Sequence, residues 1–86
     1  MRLREEFVTV FNDESAITVS VDTKLFSGMI RSNETAAFII KCLEKETSVD
    51  DIVEKICEEY NCDREIVKAD VERVIEKLRS INALTD

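Results

Sequence analysis

The stretch FSGMIRSNETAAFIIKCL, Phe26 to Leu43, decides the fold because the period of its side chains changes in the middle. Its first half alternates as the edge of a strand does, and its second half reads as a buried helix. A third strand is expected from about Ser27 to Ser32, containing Met29 and Ile30. Beyond it Asn33 can cap a helix whose first turn holds Glu34, near the positive end of the helix dipole. Ala36, Ile39, Ile40 and Leu43 form the inner stripe of that helix, widened by Ala37 and Phe38. The chain's one glycine, Gly28, stands just before the junction.

Reading upstream, FVTVF at 7–11 combines β-branched and aromatic residues, and NDES after it has the composition of a turn. AITVSVD then alternates, with Ile17, Val19 and Val21 on one face and Thr18 and Ser20 on the other. The pair reads as a β-hairpin. Downstream, Ser48 with Asp51 three residues later approximates a capping box. Val49, Ile52, Val53, Ile56, Cys57 and Tyr60 give the next helix its apolar face. NCD breaks that helix and Asp63 caps the last one, where Val67, Val71, Val74, Leu78 and Ile81 share a narrow sector with Ile75 on its flank. The last helix should end at Asn82, leaving Leu84 to fold back on the core. The order is three strands, then three helices, an α+β arrangement in which the sheet covers one side of the helical bundle.

The 86 residues suit one domain, 1–86, with a thin core, since folding at this size buries roughly 60–65% of the unfolded surface. No apolar run approaches the ~20 residues that cross a bilayer, and Glu5 and Glu6 interrupt any signal-like start, so a cytoplasmic protein is expected. The formal net charge of −7 and pI near 4.6 disfavour both nucleic acid and anionic membranes as partners.

Catalytic chemistry is hard to find. The chain has no histidine, which removes the commonest general base and the commonest zinc ligand. A single glycine cannot build a phosphate-binding loop, and Ser and Thr occur without a base to activate them. Asp50 and Asp51 sit in a helix first turn, where capping explains them. Cys42, Cys57 and Cys62 are odd in number and show no C-x-x-C spacing, so neither a disulfide framework nor a zinc site is expected. Cys42 and Cys57 read as small apolar fillers, and Cys62 as an exposed turn residue with nothing to lower its pKa. No catalytic residue, metal or cofactor is assigned, and a binding module is favoured by elimination.

The segment GMIRSNETAAFIIKCLEKETSVDDIVEKICEEY, followed by DREIVKADVERVIEKLRSINAL, resembles the PqqD family, including the RiPP recognition elements found alone or fused to peptide-modifying enzymes. The matching features are Asn33-Glu34-Thr35 after a strand, the buried helix after it, a second helix ending in EEY, and Asp70-Val71 opening DVERVIEKL. They extend from about Phe7 to Leu84. One departure is Asn82-Ala83-Leu84 where many relatives have Gly before the final Leu, and Asn can adopt the same left-handed backbone.

The resemblance implies a winged-helix-like fold that performs no chemistry. Such domains bind the leader region of a ribosomally made precursor peptide and present it to a modifying enzyme, in many systems a radical SAM enzyme. The leader would add as a strand on the edge of the third β-strand, in the groove between it and the third helix. The residues this points to are Ser27, Gly28, Met29, Ile30, Arg31 and Ser32 on the strand, with Arg64, Val67, Lys68, Val71 and Ile75 on the helix. A second copy of the chain could occupy the same edge and make a homodimer. The competing readings are a winged-helix DNA-binding regulator, which would need a basic recognition face, and a structural subunit of an enzyme complex.

Overall fold

The computed structural model describes residues 1–85. Its elements, in chain order, are β1 (Arg2–Leu3), β2 (Phe7–Phe11), β3 (Ala16–Ser20), β4 (Met29–Ser32), α1 (Glu34–Cys42), α2 (Val49–Glu59), α3 (Arg64–Ser80) and β5 (Leu84–Thr85). β2, β3 and β4 form an antiparallel sheet in that order, and the three helices follow. The expected α+β order holds for both layers.

Each helix starts where its cap residue stands. Asn33 Oδ1 accepts from the Ala36 N–H at 2.9 Å, Ser48 Oγ from Asp51 at 3.2 Å, and Asp63 Oδ1 from Glu65 at 2.8 Å. Each bond satisfies an amide that the first helical turn leaves unpaired. α3 ends in a Schellman arrangement: the Asn82 N–H reaches the Arg79 carbonyl at 3.0 Å, and the Ala83 N–H reaches Leu78 at 2.9 Å. Asn82 has φ +62°, the left-handed conformation that the turn demands.

That turn sends Leu84 back into the core and places β5 against β1, pairing Leu3 with Leu84 and Arg2 with Thr85. This two-stranded ribbon was not legible in the sequence, because two-residue strands carry no period. β4 also begins at Met29, two residues later than the sequence suggests. Gly28 takes φ +139°, outside the range of an ordinary strand residue, so Ser27 and Gly28 lead into the strand without belonging to it.

Ile39, Leu43, Ile52 and Val71 are completely buried where the three helices meet. Burying each such side chain contributes about 1.5–3 kcal/mol. Phe7 and Phe26, with ring centroids 6.0 Å apart, carry the sheet side of this cluster. Cys42 and Cys57 are half-buried against the core, as apolar fillers should be, and burial pushes the Cys42 thiol up. Cys62 is exposed. Its Sγ donates to the Tyr60 carbonyl at 3.3 Å, and desolvation pushes the thiol up, so it is not an activated thiolate.

The sheet departs from the simplest pattern. Ala16, Thr18 and Ser20 face the helices, and Thr18 is completely buried; Ile17, Val19 and Val21 face outward with Val8, Val10 and Met29. The alternation is kept, but the more apolar face of β3 is turned to solvent. The inner face is completed by Phe7 and Phe11 from β2 and by Ile30 and Ser32 from β4.

Candidate functional site

β4 is an edge strand: β3 pairs one side of it, and no strand of the described residues occupies the other. Its backbone therefore offers amides and carbonyls to an incoming chain. Alternation sends Ile30 and Ser32 inward and leaves Met29 and Arg31 exposed. Asn33 then turns the backbone into α1, so the strand edge leads directly to the start of that helix.

Beside this edge lies a cleft of about 210 Å³ lined by residues from three elements. Ile30, Arg31 and Ser32 come from β4, Ala36 and Ile40 from α1, and Val74, Lys77 and Leu78 from α3. Its floor is aliphatic, and Lys77 and Arg31, both exposed, supply positive charge. A second recess shares Asn33, Ala36 and Val74 with the first and extends it toward Thr35, Asp70 and Arg73. Arg73 donates to Asp70 Oδ1 at 3.1 Å across one helical turn, so its charge is partly compensated. Together the recesses make a groove running from the β4 edge along α3. Such a groove can hold an extended segment, taking its main chain on β4 and alternate side chains against Ile30, Val74 and Leu78.

Of the strand residues named from the sequence, Ile30, Arg31 and Ser32 line the cleft, Met29 lies on the same strand outside its lining, and Ser27 and Gly28 precede the strand. The helix residues divide differently. Val67, Val71 and Ile75 are buried in the core, and their side chains face the interior. Arg64 and Lys68 line a separate recess with Asp50, Val53, Glu54 and Glu65, which shares no residue with the groove. There Arg64 Nη1 meets Glu54 Oε2 at 2.7 Å, an ion pair that ties α3 to α2 and holds the Glu54 carboxyl below the usual range.

The helix residues that border β4 are instead Val74, Lys77 and Leu78, one and two turns further along. Val74 was legible as a member of the apolar stripe, and it is half-buried because it sits at the stripe's margin. Its distinction from Val71 depends on how α3 is rotated against the sheet, which sequence periodicity leaves open.

Two other concavities have a different character. The recess of about 350 Å³ between Arg2, Arg4, Glu5, Glu6, Glu46 and Thr85 is lined mainly by charged groups. A recess of about 220 Å³ lies between the β2–β3 turn and α1, where Lys41 Nζ sits 4.9 Å from the Phe11 ring centroid and Tyr60 donates to Glu34 Oε1 at 3.2 Å. Among the described residues no group of three His, Cys, Asp or Glu is placed to hold a metal ion, and no helix is long and apolar enough to cross a membrane.

Comparison with known proteins agrees with this architecture. The structure described as TbiB1 in complex with the TbiA(beta) leader peptide superposes with a TM-score of 0.81 at 21% identity, covering the whole of both chains. A lasso peptide synthetase B1 complexed with the leader peptide superposes with a TM-score of 0.78, also at 21% identity, over 99% of this chain and 96% of that one. These likenesses establish the fold. No curated protein matches by sequence. Residues 8–84, nearly the whole chain, match the family described as coenzyme PQQ synthesis protein D, and the chain belongs to the PqqD family.

Proposed function

We propose that this chain is a non-catalytic adaptor that binds the leader of a ribosomally synthesised precursor peptide and presents the peptide to a modifying enzyme. The observation that carries the reading is the open β4 edge beside a groove floored by Ile30, Ala36, Ile40, Val74 and Leu78. Main-chain bonds to β4 supply affinity that does not depend on sequence, and the aliphatic floor selects an apolar side chain of the leader. Lys77 favours an acidic residue beside that anchor. Both solved neighbours are complexes with leader peptides, which supports the same use of the fold. The partner enzyme supplies the chemistry, and a radical SAM enzyme is one class that suits an adaptor of this family.

A DNA-binding role is disfavoured by α3. Arg64 is paired with Glu54 and Arg73 with Asp70, and Glu65, Glu72 and Glu76 interleave the other cations, so the helix lacks the uninterrupted basic face that phosphate contacts require. The adaptor reading is tested by titrating isotope-labelled protein with the leader of the precursor encoded beside its gene. Saturable NMR shifts confined to 29–36 and 73–78 are expected. Saturating leader with no shift in either segment removes the proposed site.

A further inference from the structure

The outward face of the sheet consists of two rungs that cross all three strands. One is Val8–Val19–Met29 and the other Val10–Ile17–Arg31, with Val21 beyond the end of β3. Val10 is 63% exposed, Val21 70% and Met29 58%. A shift of one residue in the strands would exchange the two faces and bury these valines. The chain instead buries Thr18 and Ser32 and leaves the valines in water. A contiguous apolar patch on a small charged protein marks an interaction surface.

We infer that this face docks the enzyme that acts on the bound peptide, an assignment of partner that rests on the adaptor reading. Three features select that occupant. First, the face is continuous with the peptide edge: Met29 and Arg31 end the two rungs on β4 itself. A leader strand added there would become a fourth strand, and its alternate side chains would extend the same outer face. An enzyme seated on the face therefore touches both adaptor and peptide.

Second, the face alone is too small for a second copy of the chain. A stable protein interface engages about 20–30 residues and ~800 Å² on each side, and this face offers seven side chains, so its occupant must also draw contact from the added leader strand, as an enzyme acting on that peptide does. Two protomers of net charge −7 also repel. Third, Arg31 makes no ion pair among the described residues and closes an otherwise apolar rung. The complementary surface is an apolar strip ending in a carboxylate.

Docking on a composite face couples the two ligands, and coupling is reciprocal. The leader should tighten enzyme binding about fivefold or more, and the enzyme should tighten leader binding by the same factor. The test uses the full chain, the leader, and the peptide-modifying enzyme encoded beside its gene, with calorimetry for each pair. The variants are Val10→Glu and the gentler Val10→Thr/Val21→Thr, which keeps β-branching. Their circular dichroism and leader affinity should match wild type, while enzyme affinity falls tenfold or more for Val10→Glu and several-fold for the double variant. Wild-type enzyme affinity in both variants overturns the docking face. Loss of leader binding by the unaltered protein overturns the adaptor reading instead, and enzyme binding that still depends on Val10 leaves the face standing. Sedimentation showing a dimer that Val10→Glu dissociates would assign the face to a second copy and also overturn the inference.

Discussion

Thr9 and Thr18 face each other across β2 and β3 on the inner side of the sheet, with their hydroxyl oxygens 2.8 Å apart. Thr18 is completely buried, so this bond is what makes a hydroxyl acceptable beneath the helices. Thr18→Val should destabilise by about 1 kcal/mol, since it strands the Thr9 hydroxyl, while Thr9→Val/Thr18→Val should fall close to wild type. Urea unfolding of the two single variants and the double gives the coupling directly, expected at about 0.5–1.5 kcal/mol.

The same pair shows where sequence reading reaches and where it stops. Alternation in residues 16–22 gave the strand and its two faces, because side-chain period is a local property. Which face meets the helices is decided by the partner layer, and here Phe7 and Phe11 supply the apolar bulk that β3 does not. Helix starts at Asn33, Ser48 and Asp63 were legible for a similar local reason. The groove was half legible: its strand followed from the 26–43 junction, but choosing Val74 and Lys77 over Val67 and Lys68 required the docking of α3 on the sheet. The β1–β5 ribbon depends on a contact between the two ends of the described chain, which no local window contains.

Val74 and Lys77 should separate packing from charge in leader binding. Val74→Ala removes part of the aliphatic floor and should weaken the leader about five- to tenfold. Lys77→Ala should weaken it a few-fold at low salt and less at high salt, as an exposed charge does. Arg64→Ala should leave leader affinity within about twofold, because Arg64 lies in another recess. Fluorescence anisotropy with a labelled leader at two ionic strengths distinguishes the three.

The Arg64–Glu54 pair should show itself in acid. Its hydrogen bond and charge lower the Glu54 pKa in the folded state. The pair's contribution is therefore fully present above the ordinary glutamate value of about 4.3 and is lost as pH falls through the depressed folded value. Both groups are exposed, so the contribution is small. The difference in Tm between wild type and Arg64→Ala should be constant from pH 7 to 5 and shrink below pH 4.

Gly28 enters β4 at φ +139°. A Cβ there would meet the Phe26 ring at 3.5 Å, an ordinary contact, so space does not exclude alanine. Backbone strain does the work, and Gly28→Ala should destabilise by about 1–3 kcal/mol. Because the strain relaxes by shifting Met29, leader affinity should fall together with stability. Leader affinity unchanged in a destabilised Gly28→Ala protein would show that the entrance to β4 is not used by the peptide.

Asn82 closes α3 at φ +62°, in the left-handed region of backbone space. The two Schellman bonds, from Asn82 to Arg79 and from Ala83 to Leu78, depend on that left-handed residue, and through it Leu84 reaches β1. Asparagine tolerates the conformation better than other residues with a side chain, and glycine better still. Its Oδ1 accepts from Arg4 Nη2 at only 3.4 Å, a weak bond at the surface. Stability should therefore rank Asn82→Gly at or above wild type, with Asn82→Ala lower than wild type by about 1 kcal/mol. Thermal melts of the three proteins check the order, and protection of the Leu3 and Arg4 amides from hydrogen exchange should follow it, since Arg4 N–H bonds the Ala83 carbonyl at 2.8 Å.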